Sequence, residues 1–143
     1  MLSELYELFA EKFKTYADFW QDLAREEVGH AEWIRDLSNK IREGSISYNQ
    51  ESLMVAGISY FTDQIRESMQ EVDNKDFELI NAISISRILE SSLLENKCFE
   101  IVRPDSVEIE DLFNRLKEAT KKHLARVEEA WKEIRKAEGI NDL

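Results

Sequence analysis

Apolar residues recur three and four positions apart along almost the whole of this 143-residue chain, and only four glycines and one proline interrupt them. That is the period of a helix with one buried face; a half-buried strand would alternate strictly instead. With so few breakers the chain has room for little besides helices, and the fold class expected is all-α.

The breakers that do occur divide the chain. One helix is expected over about residues 2 to 13. A second starts after Thr15, whose hydroxyl can cap it with Asp18 three residues on, and runs to about residue 42, where Glu43-Gly44-Ser45 stops it. Residues 44 to 75 read as a long crossover with its own helical stretch, in which Phe61, Ile65, Met69 and Val72 line one side. A third long helix spans about 76 to 102. Pro104 interrupts it, and Asp105-Ser106-Val107-Glu108 reads as a capping box opening a fourth helix that ends near Gly139. A chain of this length suits one domain. Two hairpins, at about 2–43 and 76–139, joined by one long crossover have the connectivity of a ferritin-like four-helix bundle.

Composition excludes several functions. Nineteen Lys and Arg against 30 Asp and Glu give a net charge of -11, which repels phosphate backbones and anionic membrane, so no nucleic-acid or membrane partner is expected. The single cysteine, Cys98, rules out an internal disulfide framework and any Cys-x-x-Cys zinc or rubredoxin-type site in these residues, and reads as a small buried side chain. The start, MLSELYELFAEKF, has no continuous apolar core of the signal-peptide kind, and no run approaches the ~20 apolar residues that span a bilayer. A cytoplasmic, soluble protein is expected.

The most specific signal is an internal repeat. Trp20, Leu23, Glu27, His30, Ile34 and Ile41 match Phe113, Leu116, Thr120, His123, Val127 and Ile134, each pair 93 residues apart, and the only two histidines of the chain fall on equivalent positions. Two amphipathic helices share an apolar register by default, but not a pair of histidines within it. At about 100° per residue, Glu27 and His30 flank the centre of the stripe of Phe19, Leu23, Ile34, Leu37 and Ile41. His123 and Thr120 lie within that of Leu112, Leu116, Val127 and Ile134, and Glu90 within that of Leu79, Ile83, Leu94 and Ile101. A polar cluster of Glu27, His30, Glu90 and His123 is therefore expected inside the bundle. Buried carboxylates need a cation, a proton or a dense set of donors. Two carboxylates with two imidazoles suit iron, manganese or zinc and not calcium, which prefers oxygen ligands alone.

These residues resemble the rubrerythrin branch of the ferritin-like superfamily, over most of the chain in helix order and repeat. The strongest motif is F/W-x-x-L-A-x-E-E-x-x-H, present as Trp20 to His30. The resemblance implies a di-iron carboxylate site, one Glu from the first helix of each hairpin and a Glu-x-x-His from the second, and an oxidoreductase acting on oxygen, peroxide or ferrous iron. Carried over by position, the metal ligands are Glu27, His30, Glu90 and His123. Two ligands do not carry over: Thr120 stands where the bridging glutamate of the fourth helix is expected, and the glutamate of the first helix should lie well before Tyr6. Glu4, Glu7 and Glu11 project away from the apolar face of Leu2, Leu5, Phe9 and Phe13.

Four of six ligands are enough for one metal ion, iron foremost, with a second completed by water or a partner carboxylate. Electrons would come from an external donor protein. The alternative is a metal-free bundle with a structural or protein-interaction role, its core a hydrogen-bonded network of the same four residues, to which Lys97 adds a positive charge unless its ammonium reaches solvent. A second apolar side on the third helix, from Phe77, Ile85, Ile88 and Phe99, needs the crossover or a second subunit to cover it, and Gly29, pointing away from the core, would let another backbone approach. A homodimer is expected on these grounds.

Overall fold

The computed structural model describes residues 1–44, 55–95 and 107–139, and among these every regular element is a helix. Five α-helices follow in order: α1 (Leu2–Lys12), α2 (Ala17–Arg42), α3 (Val55–Glu71), α4 (Leu79–Glu95) and α5 (Val107–Ala137). α1 packs against α2 and α4 against α5, giving an all-α bundle of two paired units. α2 meets α5 between them, and α3 touches α1 and α4.

α1 forms because Leu2, Leu5, Tyr6, Phe9 and Ala10 share one face, all buried, with Glu4 in the first turn and Lys12 in the last, where the helix dipole favours each charge. It ends at Phe13, whose φ of -107° and ψ of 75° leave the helical region. A 3-10 turn, Lys14–Tyr16, then runs straight into α2 at Ala17. Thr15 therefore does not serve as the expected N-cap, because it already lies inside a hydrogen-bonded turn closed by Tyr16 N–H to Phe13 C=O at 2.9 Å. α2 stops at Gly44 and α5 at Gly139, at φ of 74° and 70°, a left-handed conformation that costs glycine little.

The core is continuous. Phe9, Trp20 and Phe77 stack or meet edge to face at 5.0 to 5.9 Å, with Leu5, Leu23, Ala82, Ile83, Val127 and Ile134 around them. Ile65 of α3 and Val72 just after it are buried, and Phe61 and Met69 lie against the same core, as the crossover pattern predicts.

Three expectations are corrected. α4 begins at Leu79 and not near Asp76, because the Asn81 side chain accepts the Glu78 N–H at 2.8 Å and fixes the first turn there. Phe77 consequently lies in the preceding turn and is buried against Phe9 and Phe13, so it forms no part of an open second face. Ile34, placed on the core stripe of α2, is 49% exposed. Helix length explains this: at 1.5 Å per residue, the 11 residues of α1 cover about 17 Å of the roughly 39 Å of α2. Ile85 is half-buried and Ile88 exposed on α4. Lys97, Cys98, Phe99, Ile101 and the expected cap at Asp105 lie outside the described residues, as do the side chains of Leu37, Ile41 and Leu94.

Candidate metal centre

α1, α2, α4 and α5 each send a polar side chain to one region between the paired units. Glu27 and His30 stand one turn apart on α2, which brings His30 Nδ1 to 3.2 Å from Glu27 Oε1. From α5, the fully buried His123 places its own Nδ1 3.0 Å from that same oxygen and 3.5 Å from Oε1 of Glu90. The two imidazole rings lie 5.2 Å apart. Glu90, on α4, has no exposed surface. The structure thus brings all four expected residues to one place, drawn from both halves of the repeat.

The ligand atoms of Glu27, His30 and His123 lie within 4.8 Å of one another. An ion with bonds of about 2.1 Å would close that span with side-chain shifts below an ångström. His123 Nδ1 and Glu90 Oε2 are buried without a hydrogen bond of good geometry among the described residues. Unpartnered buried polar atoms cost about 1–3 kcal/mol each, and more when charged. A cation that displaced the ring proton of His123 would give both of them a partner, since the two side chains meet at 3.5 Å, Nδ1 to Glu90 Oε1.

Electrostatics say what fills that role when no metal is bound. Burial alone would lower the pKa of His123, but the carboxylates of Glu27, Glu90 and Glu26 raise it from 6.5 to about 10. Burial likewise opposes ionisation of Glu27, yet His123 and His30 hold its carboxyl down, from 4.5 to about 2. The ring proton of His123 thus supplies the positive charge at the centre of the cluster.

Two residues complete the site that sequence reasoning passed over. Tyr6 donates from its phenol to Glu90 Oε1 at 2.7 Å. Burial, reinforced by the Glu90 charge, pushes the Tyr6 hydroxyl well above 10, so it remains a donor. Glu26 bonds His123 Nε2 through Oε2 at 2.7 Å and accepts from Arg126 through Oε1, also at 2.7 Å. The available signals were a hydroxyl on the apolar face of α1 and the Glu26-Glu27 doublet. Thr120, by contrast, donates its hydroxyl to Leu116 C=O at 3.0 Å, turned back onto its own helix. Glu4, Glu7 and Glu11 are exposed, as expected.

One side of the centre is sealed and the other is not. Glu90 and His123 have no exposed side-chain surface beyond 1%, whereas Glu27 and His30 retain 16% and 12%. His30 borders a cleft of about 1050 Å³ between α2 and α5, lined among others by Glu26, Gly29, Trp33, Arg115 and Lys122. A Cβ at Gly29 would meet no atom within 4 Å, so the space beside this residue is open. No described helix is long and apolar enough to cross a membrane. No family model, curated protein or solved structure matches the chain.

Proposed function

We propose that this protein is a rubrerythrin-like, ferritin-type helical domain that holds one divalent transition-metal ion, iron foremost, between Glu27, His30, Glu90 and His123. The observation that carries the reading is the meeting of Glu27, His30 and His123 ligand atoms within 4.8 Å beside two buried, unpartnered atoms, His123 Nδ1 and Glu90 Oε2. Charge supports a single ion: two carboxylates balance one divalent cation with both imidazoles neutral, and a second ion would leave excess positive charge in a buried site. Tyr6 and Thr120, both neutral, add none of the missing negative charge.

Bound iron would supply oxygen, peroxide or ferrous-oxidation chemistry, with electrons from an external donor. The chain's own residues hold the ion, keep water from the Glu90 side and leave the His30 side open to a small exogenous ligand through the α2–α5 cleft. Anaerobic titration of chelator-free protein with ferrous, manganous and zinc ions tests this. About one equivalent bound, with a higher melting temperature, is expected; retention below about a tenth of an equivalent with no thermal shift overturns it.

A second reading, a metal-free structural or interaction module, draws on the hydrogen bonds that already join the cluster, Tyr6 to Glu90 and His123 through Glu26 to Arg126. In that case Glu27→Ala destabilises the protein while added metal leaves its melting unchanged. Under either reading a second copy would cover the exposed Ile34 on α2, and a monomeric mass in solution scattering would remove that part of the proposal.

A further inference from the structure

The contact on the outer side of His123 reaches beyond the ligands themselves. Nε2 of this buried ring lies 2.7 Å from Glu26 Oε2, and Glu26 Oε1 takes an N–H from Arg126 at 2.7 Å. A neutral imidazole carries one ring proton, and only its bare nitrogen can bind a metal. A carboxylate solely accepts, and Arg126 holds Glu26 in place through its other oxygen. The ring proton therefore belongs on Nε2, which leaves the lone pair on Nδ1, the nitrogen facing Glu27 and Glu90.

We propose that Glu26, anchored by Arg126, is a positioning residue that sets the tautomer and ring orientation of His123 so that Nδ1 is the ligating atom. The proposal rests on the metal-centre reading above. Glu26 joins α2 to α5 across the cleft wall, 97 residues apart in sequence, and so also fixes the distance between the helices that carry the two histidines. Partners of this kind on the far nitrogen of a ligating histidine orient the ring and raise its basicity.

Glutamine at this position separates tautomer control from packing. Arg126 would hold the amide oxygen in the place of Oε1, which turns the amide nitrogen toward His123. That nitrogen donates, so it forces the ring proton onto Nδ1 and blocks the ligand. Alanine leaves the tautomer free. Glu26→Gln, the closer match in shape, should then damage metal binding more than Glu26→Ala, and removing Arg126 in the glutamine background should let the amide turn and recover much of the loss.

The experiment is a cobaltous-ion titration of the full chain, followed by visible absorption. Relative to wild type, affinity should fall about 10-fold in Glu26→Ala and about 100-fold in Glu26→Gln, and return to within a few-fold in Glu26→Gln/Arg126→Ala. Nitrogen-15 spectra of the zinc-loaded wild type should show a protonated Nε2 and a metal-bound Nδ1 on His123. Glutamine binding as tightly as alanine, or ligation through Nε2, overturns this proposal alone. Absence of cobalt uptake by the wild type overturns the metal reading and this proposal with it. The spectra on the wild type decide the matter even if a variant fails to fold.

Discussion

The phenol of Tyr6 donates a 2.7 Å hydrogen bond to Glu90, joining the first helix to a carboxylate 84 residues later with no exposed surface. Glu90 Oε1 is thereby satisfied while Oε2 stays free among the described residues. The bond orients the carboxylate: its occupied oxygen lies toward α1, and the same oxygen is 3.5 Å from His123. A neutral donor here lowers the cost of burying the charge without cancelling it, so the net charge of the cluster still favours a cation.

Removing that donor should be felt most in the metal-free protein. Tyr6→Phe deletes one oxygen and leaves the packing on Phe9 and Trp20 intact. A loss of about 2 kcal/mol is expected without metal. The loss should be smaller with zinc bound, because the ion then satisfies Glu90. Thermal unfolding with and without saturating zinc measures the difference, and equal losses in both states would contradict the role assigned to Glu90.

Glu27 stands between both histidines, so Glu27→Ala should affect metal and proton binding together. Metal affinity should fall by more than about 100-fold, and the metal-free protein should lose about 3 kcal/mol as a buried ion pair is broken from one side. The pKa of His123 should drop from about 10 toward its ordinary range, since contact with Glu27 is the largest single effect that raises it. Histidine nitrogen shifts followed across pH report that movement directly.

The stability of the metal-free protein should depend on pH in two opposite ways. The pKa of His123 is raised from 6.5 to about 10 on folding, so its contribution is fully present below 6.5 and is lost as pH rises to about 10. Glu27 is lowered from 4.5 to about 2, so its contribution is present above 4.5 and is lost as pH falls toward 2. From these two groups a maximum between 4.5 and 6.5 is expected in denaturant midpoints.

Metal binding should show the reverse slope on the alkaline side. At pH 7 the incoming ion displaces the proton of His123, so about one proton is released per ion and affinity rises about tenfold per pH unit up to the pKa. Calorimetry in buffers of different ionisation enthalpy counts that proton. Zero release would mean that His123 is not a ligand.

Thr120→Glu adds a fourth carboxylate near His123, beside Glu26, Glu27 and Glu90, at the position equivalent by repeat to Glu27. Without metal it should destabilise the bundle, because Thr120 is only 6% exposed and its replacement brings another buried charge. With ferrous ion in excess, the bound count should rise from one toward two. An unchanged count would show that a carboxylate at position 120 does not complete a second metal position.

The helices and their buried faces were largely legible before any tertiary information. Spacing alone placed Leu116, Thr120, His123, Val127 and Ile134 on one side of a helix, and all are buried. It also put Glu27, His30, Glu90 and His123 inward. The same reasoning misplaced Ile34, since periodicity reports which side of a helix is apolar but not how far along that side a neighbour extends. It misread Phe77 for a related reason: a pattern continues smoothly through a turn whose start is set by one side-chain cap, Asn81 to Glu78.

By itself, then, the sequence determined the helical class, the inward direction of four metal-ligating residue types and the pairing of two histidines through a repeat. Only tertiary structure decided that Tyr6 reaches Glu90, that Glu26 crosses to His123 and Arg126, and that both imidazoles meet at one oxygen of Glu27. The physical reason is that a helix fixes the angles among its own side chains through a 3.6-residue turn, while its register against other helices depends on how whole faces interlock. A glutamate just off the apolar stripe, such as Glu26, becomes part of the site because α5 passes within hydrogen-bonding reach of it.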